Sequence, residues 1–200
     1  MPWIIDYSLV SQQLREQGLV CNYYNSGAFS FPPDSGIFIR GWIGPDDPTI
    51  KPAVRPLARS VGTPYENQLA DGARRMWQDA LAGRVWVMPL SHWHYELNFG
   101  SRDWMPNLLE HIELDPGLLL ERNNAAAIEF SAGESQPFHH FVTRLLEMCG
   151  GSDFLLAFPK QPILCTLHHH KQLWWTTTEE GLLKRLDEII SESSPHPPVG

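Results

Sequence analysis

The chain has 200 residues, of which 42% are hydrophobic and 19% charged, and its formal net charge at pH 7 is -8. Its lysine and arginine residues are scattered, in no cluster larger than a pair such as Arg74-Arg75, which argues against a nucleic-acid backbone as a partner. No apolar run approaches the roughly 18 residues of a membrane span, so the composition predicts a soluble, acidic, aromatic-rich globular protein.

Five segments carry the signals of a helix. Thr63-Pro64-Tyr65-Glu66 has the pattern of a capping box with proline at the first helical position, and Leu69, Ala73 and Trp77 follow at helical spacing. Serine or threonine precedes later helices in the same way. In chain order, the predicted helices cover about residues 7–17, 64–82, 102–112, 136–149 and 179–190.

Strand patterns, rich in β-branched and aromatic residues, lie between these helices. Several are joined by links too short for a parallel crossover, as at Leu90-Ser91 and His168-His169-His170, which favours antiparallel hairpins. The predicted strands cover residues 37–43, 84–89, 92–99, 126–130, 154–158, 163–167 and 172–176, with weaker patterns at 19–24 and 118–121.

This order of elements predicts an α+β fold, in which helices pack on a largely antiparallel sheet. The spacing of the helix starts is also consistent with recurring α-β-β units. We expect one globular domain over residues 1–190 and a disordered tail at 191–200. Prolines are frequent before the second helix, and they predict a loop at about 44–62 that is either functional or flexible.

The segment from Ser91 to Gly100 carries the most specific pattern in the chain. Polar and apolar residues alternate in it without a break, which predicts a strand with one buried and one polar face. The polar face carries His92, His94 and Glu96, and imidazole and carboxylate groups bind transition metals or transfer protons. The apolar set is Trp93, Tyr95, Leu97 and Phe99.

Strand geometry makes His92 and His94 half of a metal site, because Glu96 would lie about 13 Å from His92 at roughly 3.3 Å per residue. Glu96 is then the candidate general base for hydrolysis by a metal-bound water. In the alternative interpretation, this polar face is simply solvated. Candidate third ligands from other elements are His111, His139, His140 and the turn His168-His169-His170, whose side chains are expected to point in different directions.

The three cysteines, Cys21, Cys149 and Cys165, form no CxxC pair and lie far apart. An odd number of separated cysteines predicts buried thiols in a reducing compartment. The start of the chain lacks the basic region and the long apolar stretch of a signal peptide. We therefore expect a cytoplasmic protein without a disulfide framework.

Two functional hypotheses follow from these residues. The first is a small cytoplasmic protein that binds a protein partner or a small ligand without catalysis and without a cofactor, because no complete catalytic set or phosphate-binding motif is present. The second is a metal-dependent hydrolase with zinc or iron at His92 and His94. Metal analysis of protein purified without a histidine tag distinguishes them.

Overall fold

The computed structural model describes residues 1–19, 22–23, 29–30, 38–43, 63–100, 103–121, 126–148 and 150–193. In these ranges the helices are α1 (Tyr7–Glu16), α2 (Tyr65–Arg75), α3 (Trp93–Tyr95), α4 (Trp104–His111), α5 (Pro116–Glu121), α6 (Ser135–Met148) and α7 (Glu180–Ser193). The strands are β1 (Trp3–Asp6), β2 (Asn22–Tyr23), β3 (Phe29–Ser30), β4 (Phe38–Ile43), β5 (Val85–Pro89), β6 (Ala126–Phe130), β7 (Phe154–Ala157), β8 (Ile163–His168) and β9 (Gln172–Thr177). Two π-helical segments, Met76–Leu81 and Glu96–Gly100, continue α2 and α3.

Seven of the strands form one sheet in the order β1-β6-β5-β7-β8-β9-β4, and every pairing in it is antiparallel. The strands β7, β8 and β9 follow one another as two hairpins, as their short links predict. β2 and β3 pair separately. Helices packed on an antiparallel sheet confirm the α+β prediction.

Helices pack on both faces of this sheet. On one face, Val85 and Val87 of β5 join the core that α2, α4, α6 and α7 build. On the other face, Val10 and Leu14 of α1 pack in a smaller cluster with Trp86. Because β5 is covered on both sides, all five of its residues are buried and its sequence shows no polar alternation.

Residues 92–99 are not a strand, so this prediction is wrong. His92 is the N-cap of α3, and the chain continues from it as a helix. A strict alternation over eight residues also contains pairs of like residues four positions apart, which lie on the same side of a helix. In this helix Tyr95 and Phe99 form such a pair and are exposed, whereas Trp93 is buried. Both sides of β5 already pair with β6 and β7, so no position beside it remains for a hairpin strand.

Two shorter segments also differ from prediction. Residues 118–121 belong to helix α5, which begins at Pro116, a residue suited to the first turn of a helix. The edge strand β1, at Trp3–Asp6, was not predicted, because four residues are too few to show a period. It pairs with β6, which is more than 100 residues away in the sequence.

The element order does not show recurring α-β-β units, since a single strand separates α2 from α3 and α5 from α6. The predicted loop at 44–62 lies outside the described residues, as do residues 194–200 of the predicted tail. The last helix, α7, extends to Ser193. None of the helices in the described ranges is long and apolar enough to cross a membrane.

Candidate functional site

His92 and His94 lie at the start of α3, where the structure gives them different surroundings. The Nδ1 atom of His92 accepts a hydrogen bond from the backbone N–H of Tyr95 at 3.1 Å, so this ring caps the helix. His94 is exposed, and its Nδ1 lies 3.3 Å from the side-chain nitrogen of Asn98. The two ring centroids are 6.2 Å apart. The pair therefore does not form the one-sided strand site that alternation predicts.

The carboxylate of Glu96 is buried, with 0% of the residue exposed to solvent. It accepts a hydrogen bond from the hydroxyl of Ser91, which lies just after β5. A general base must reach the proton of a bound water, and this carboxylate has no solvent contact while the nearby ring of His94 is exposed. Its hydrogen bond with Ser91 links the segment after β5 to the helix that follows.

The predicted third ligands His111 and His139 lie on α4 and α6. The ring of His111 packs on that of His140, with centroids 4.6 Å apart. Burial lowers the pKa of His140, and the neighbouring His111 and Arg144 lower it further. Among the residues that the structure describes, neither His111 nor His139 joins His92 and His94 in a group of three potential ligands.

The turn between β8 and β9 does bring such a group together. His168 pairs with Gln172 as the last rung of the hairpin, and the backbone N–H of Lys171 donates to the carbonyl of His168 at 2.9 Å. Lys171 takes a left-handed conformation with φ of 60°. A turn closed by a left-handed residue is a common three-residue hairpin loop, and here it connects His168 to Gln172.

The three imidazoles of this turn, His168, His169 and His170, converge. Their ring centroids are 4.2 Å apart for His168 and His169, 4.9 Å for His168 and His170, and 4.3 Å for His169 and His170. One potential ligand atom from each ring lies within 4.8 Å of the other two. The expectation that these side chains point in different directions is therefore wrong, because a tight turn does not alternate as a strand does.

Asp153, just before β7, fixes one of these rings. Its Oδ1 accepts from the backbone N–H of His169 at 2.8 Å and lies 2.8 Å from Nδ1 of the same ring. A carboxylate only accepts, so Nδ1 carries the hydrogen, and in the neutral ring Nε2 then offers its lone pair to a metal. The other oxygen of Asp153 lies 3.9 Å from Nε2 of His168. A charged second-layer partner of this kind is typical of metal-binding histidines.

An aromatic ring supports the turn from the second strand of the hairpin. The ring of Trp174 stacks on that of His168, with centroids 4.8 Å apart and planes 13° from parallel. Its indole N–H donates to the side-chain oxygen of Gln172 at 3.0 Å. Adjacent Trp175 is buried in the main core, so the two tryptophans face opposite sides of the sheet, as neighbours in a strand do. These contacts limit the movement of the His168 ring.

An ion pair connects the turn to α2. The ammonium of Lys171 donates to the carboxylate of Glu66, in the first turn of that helix. Glu66 therefore does not complete the predicted capping box, and α2 begins after Pro64 without a side-chain cap. Burial by itself would raise the pKa of Glu66, but the hydrogen bonds from Lys171 and from its own backbone N–H hold it below the ordinary value.

We expect Glu66→Gln to destabilise the protein at pH 7 by about 0.5–1 kcal/mol, the range of a partly exposed pair. Because the pKa of Glu66 is lowered in the folded chain, its contribution is present above the ordinary value of 4.5 and is lost as pH falls through the folded value. Urea unfolding of both proteins from pH 7 to pH 3 should show the difference shrinking. Glu180→Gln, at a more exposed pair on α7, should show no comparable trend.

The described cysteine is a structural thiol. Cys165 is buried in β8, and this burial raises the pKa of its thiol well above the ordinary value. The prediction of a buried thiol is confirmed at this position. Cys21 and Cys149 lie outside the described residues.

Sequence reasoning missed Asp153, and it considered the turn His168-His169-His170 only as the source of a third ligand for His92 and His94. Three consecutive histidines at a predicted turn were the available signal, whereas nothing in the sequence links them to a carboxylate more than ten positions away. Comparison of the chain with protein-family models, with curated proteins and with solved structures found no significant match. The site must therefore be judged by its own chemistry.

Proposed function

We propose that this protein binds a divalent transition-metal ion at the β8–β9 turn, through His168, His169 and His170. The observation that supports it is the placement of one ligand atom from each ring within 4.8 Å of the others. Imidazole nitrogens bound to one Zn²⁺ at about 2.1 Å lie roughly 3.4 Å apart. Small rotations of the side chains would close that difference.

The three imidazole nitrogens favour transition-metal ions of intermediate softness. Imidazole nitrogen suits Zn²⁺, Ni²⁺, Cu²⁺ and Fe²⁺, whereas Ca²⁺ and Mg²⁺ require a shell of oxygen atoms. Asp153 would orient His169 and stabilise the charge of the ion from the second layer of contacts. The rings remain partly open to solvent, so an ion here would keep water as a further ligand.

This proposal retains the hypothesis of a binding protein without assigning it a catalytic step. The hydrolase alternative at His92 and His94 has less support, because Glu96 is buried and the predicted strand is a helix. A protein partner stays a prediction. The exposed rings of Tyr95 and Phe99, whose centroids lie 6.3 Å apart, are the observation in its favour.

The test is titration of tag-free protein with Zn²⁺ and Ni²⁺ by calorimetry. We expect one bound ion per chain, and His169→Ala should weaken binding by at least about tenfold. The control is His94→Ala, which removes an exposed imidazole elsewhere and should leave binding unchanged. Ni²⁺ quenches a nearby indole, so the loss of fluorescence on Ni²⁺ addition should be smaller in Trp174→Phe. Equal affinity in wild type and His169→Ala, or no binding, would contradict the proposal.

A further inference from the structure

A cavity lies near the C-terminal end of β7, whereas the histidine turn lies near the N-terminal end of that strand. Its volume is about 420 Å³, and it is bounded by Leu9 and Gln13 of α1, by Arg84 and Trp86 at β5, and by Lys160 in the turn after β7. Small-molecule sites are commonly clefts of about 300–1,000 Å³. The cavity therefore has the size of a ligand site that is separate from the candidate metal site.

Two cations border this cavity in a chain of net charge -8. Arg84 is paired with the buried carboxylate of Glu129 at 3.2 Å, which also accepts from the indole N–H of Trp86 at 2.8 Å. Lys160 is exposed, and no carboxylate of the described residues pairs with it. Counting Arg84, Lys160 and Glu129, the local charge is +1, which suits a ligand with one negative charge.

The rest of the lining is mostly apolar, with one polar exception. Leu9, which is 42% exposed, and Pro159 supply this apolar surface, whereas Trp86 is only 3% exposed and adds little. The side-chain oxygen of Gln13 is buried and accepts no hydrogen bond from the described residues. This oxygen is enclosed by protein atoms, so a ligand in the cavity would meet the apolar wall and the two cations instead.

From this arrangement we infer that the cavity binds a small amphipathic carboxylate. The carboxylate would lie at the rim beside Lys160 and Arg84, and the apolar body of the ligand would cover Leu9 and Pro159. A cationic ligand is disfavoured by the two rim charges. The inference is independent of the metal proposal, since none of these residues belongs to the β8–β9 turn.

The probe for the test is 4-hydroxyphenylacetate, compared by calorimetry or NMR titration with the neutral 4-hydroxyphenylacetamide. We expect the carboxylate to bind up to about fivefold more tightly than the amide, the largest effect of a partly exposed charge contact. Lys160→Glu should weaken carboxylate binding by about tenfold or more while leaving the amide unaffected. Lys184→Glu, an equal charge change on α7, should leave both affinities unchanged.

Three results would overturn the inference. They are equal affinity for the carboxylate and the amide, equal carboxylate affinity in Lys160→Glu and Lys184→Glu, and no binding of the carboxylate at about 5 mM, a concentration that detects even millimolar affinity. Leu9→Asp provides a second variant, because it adds a negative charge to an exposed wall residue. It should weaken carboxylate binding without affecting the fold, which thermal unfolding checks.

Discussion

Replacing Trp93 by alanine should lower the free energy of unfolding by about 3–5 kcal/mol, the usual cost of truncating a fully buried tryptophan. The side chain is 0% exposed and packs edge to face on Phe154, with ring centroids 6.1 Å apart. Its indole N–H donates to the carbonyl of Ala126 at 2.8 Å, so truncation also leaves a buried acceptor without this donor. Urea unfolding followed by circular dichroism measures the loss.

The matched control is Tyr95→Ala, two positions away in the same alternating pattern. Tyr95 is 41% exposed in the helix, so we expect its truncation to change stability by less than about 0.5 kcal/mol. A strand over 92–99 would bury both rings on one face, and the two variants would then lose similar amounts. Similar losses would therefore contradict the helix, and a small loss in Trp93→Ala would contradict the burial of its ring.

Long periodic segments were predictable from sequence because packing and periodicity agree in them. The stripe of α6 contains Phe138, Phe141, Val142 and Leu145, all of which are buried at helical spacing. The strands from β5 to β9 were predicted for a related reason, since each is a short apolar run bounded by turn residues. In these elements the local pattern and the tertiary environment favour the same structure.

The secondary structure of the segment after β5 could not be predicted from its period. Eight alternating residues satisfy both a strand and a two-turn helix, and the choice depends on whether a neighbouring strand position is free. That position is taken by β6 and β7, which come from 37 and more residues further along the chain. Competition among distant segments of this kind is not visible in a local pattern.

Prediction of the candidate site from sequence has the same limit. The turn at His168 to His170 was visible in the sequence, but the convergence of its rings was not. Contacts with Asp153 and Trp174 then fix two of the three rings by pairing across the sheet. Sequence identified the ligand types, and only the register of β7, β8 and β9 shows which of them meet.

We expect saturating Zn²⁺ to raise the free energy of unfolding by up to about 2.7 kcal/mol if the folded turn binds it about 100-fold more tightly than the unfolded chain. The comparison with the unfolded chain matters because three consecutive histidines also bind metal when unfolded. The stabilisation therefore reports only the pre-organisation of the turn by Asp153 and Trp174. Urea unfolding with and without Zn²⁺ measures it directly.

Asp153→Asn should isolate that pre-organisation, because it keeps the shape of the side chain and removes the charge that holds Nδ1–H of His169. We expect its Zn²⁺ affinity to fall about 10–100-fold in the folded protein while that of the unfolded chain stays the same. The Zn²⁺-dependent stabilisation should then shrink by roughly 1.4–2.7 kcal/mol. Asp103→Asn, an equal charge change at an exposed residue before α4, should retain it. Equal stabilisation in both variants would show that the histidines bind Zn²⁺ only as a flexible run, without a site built by the fold.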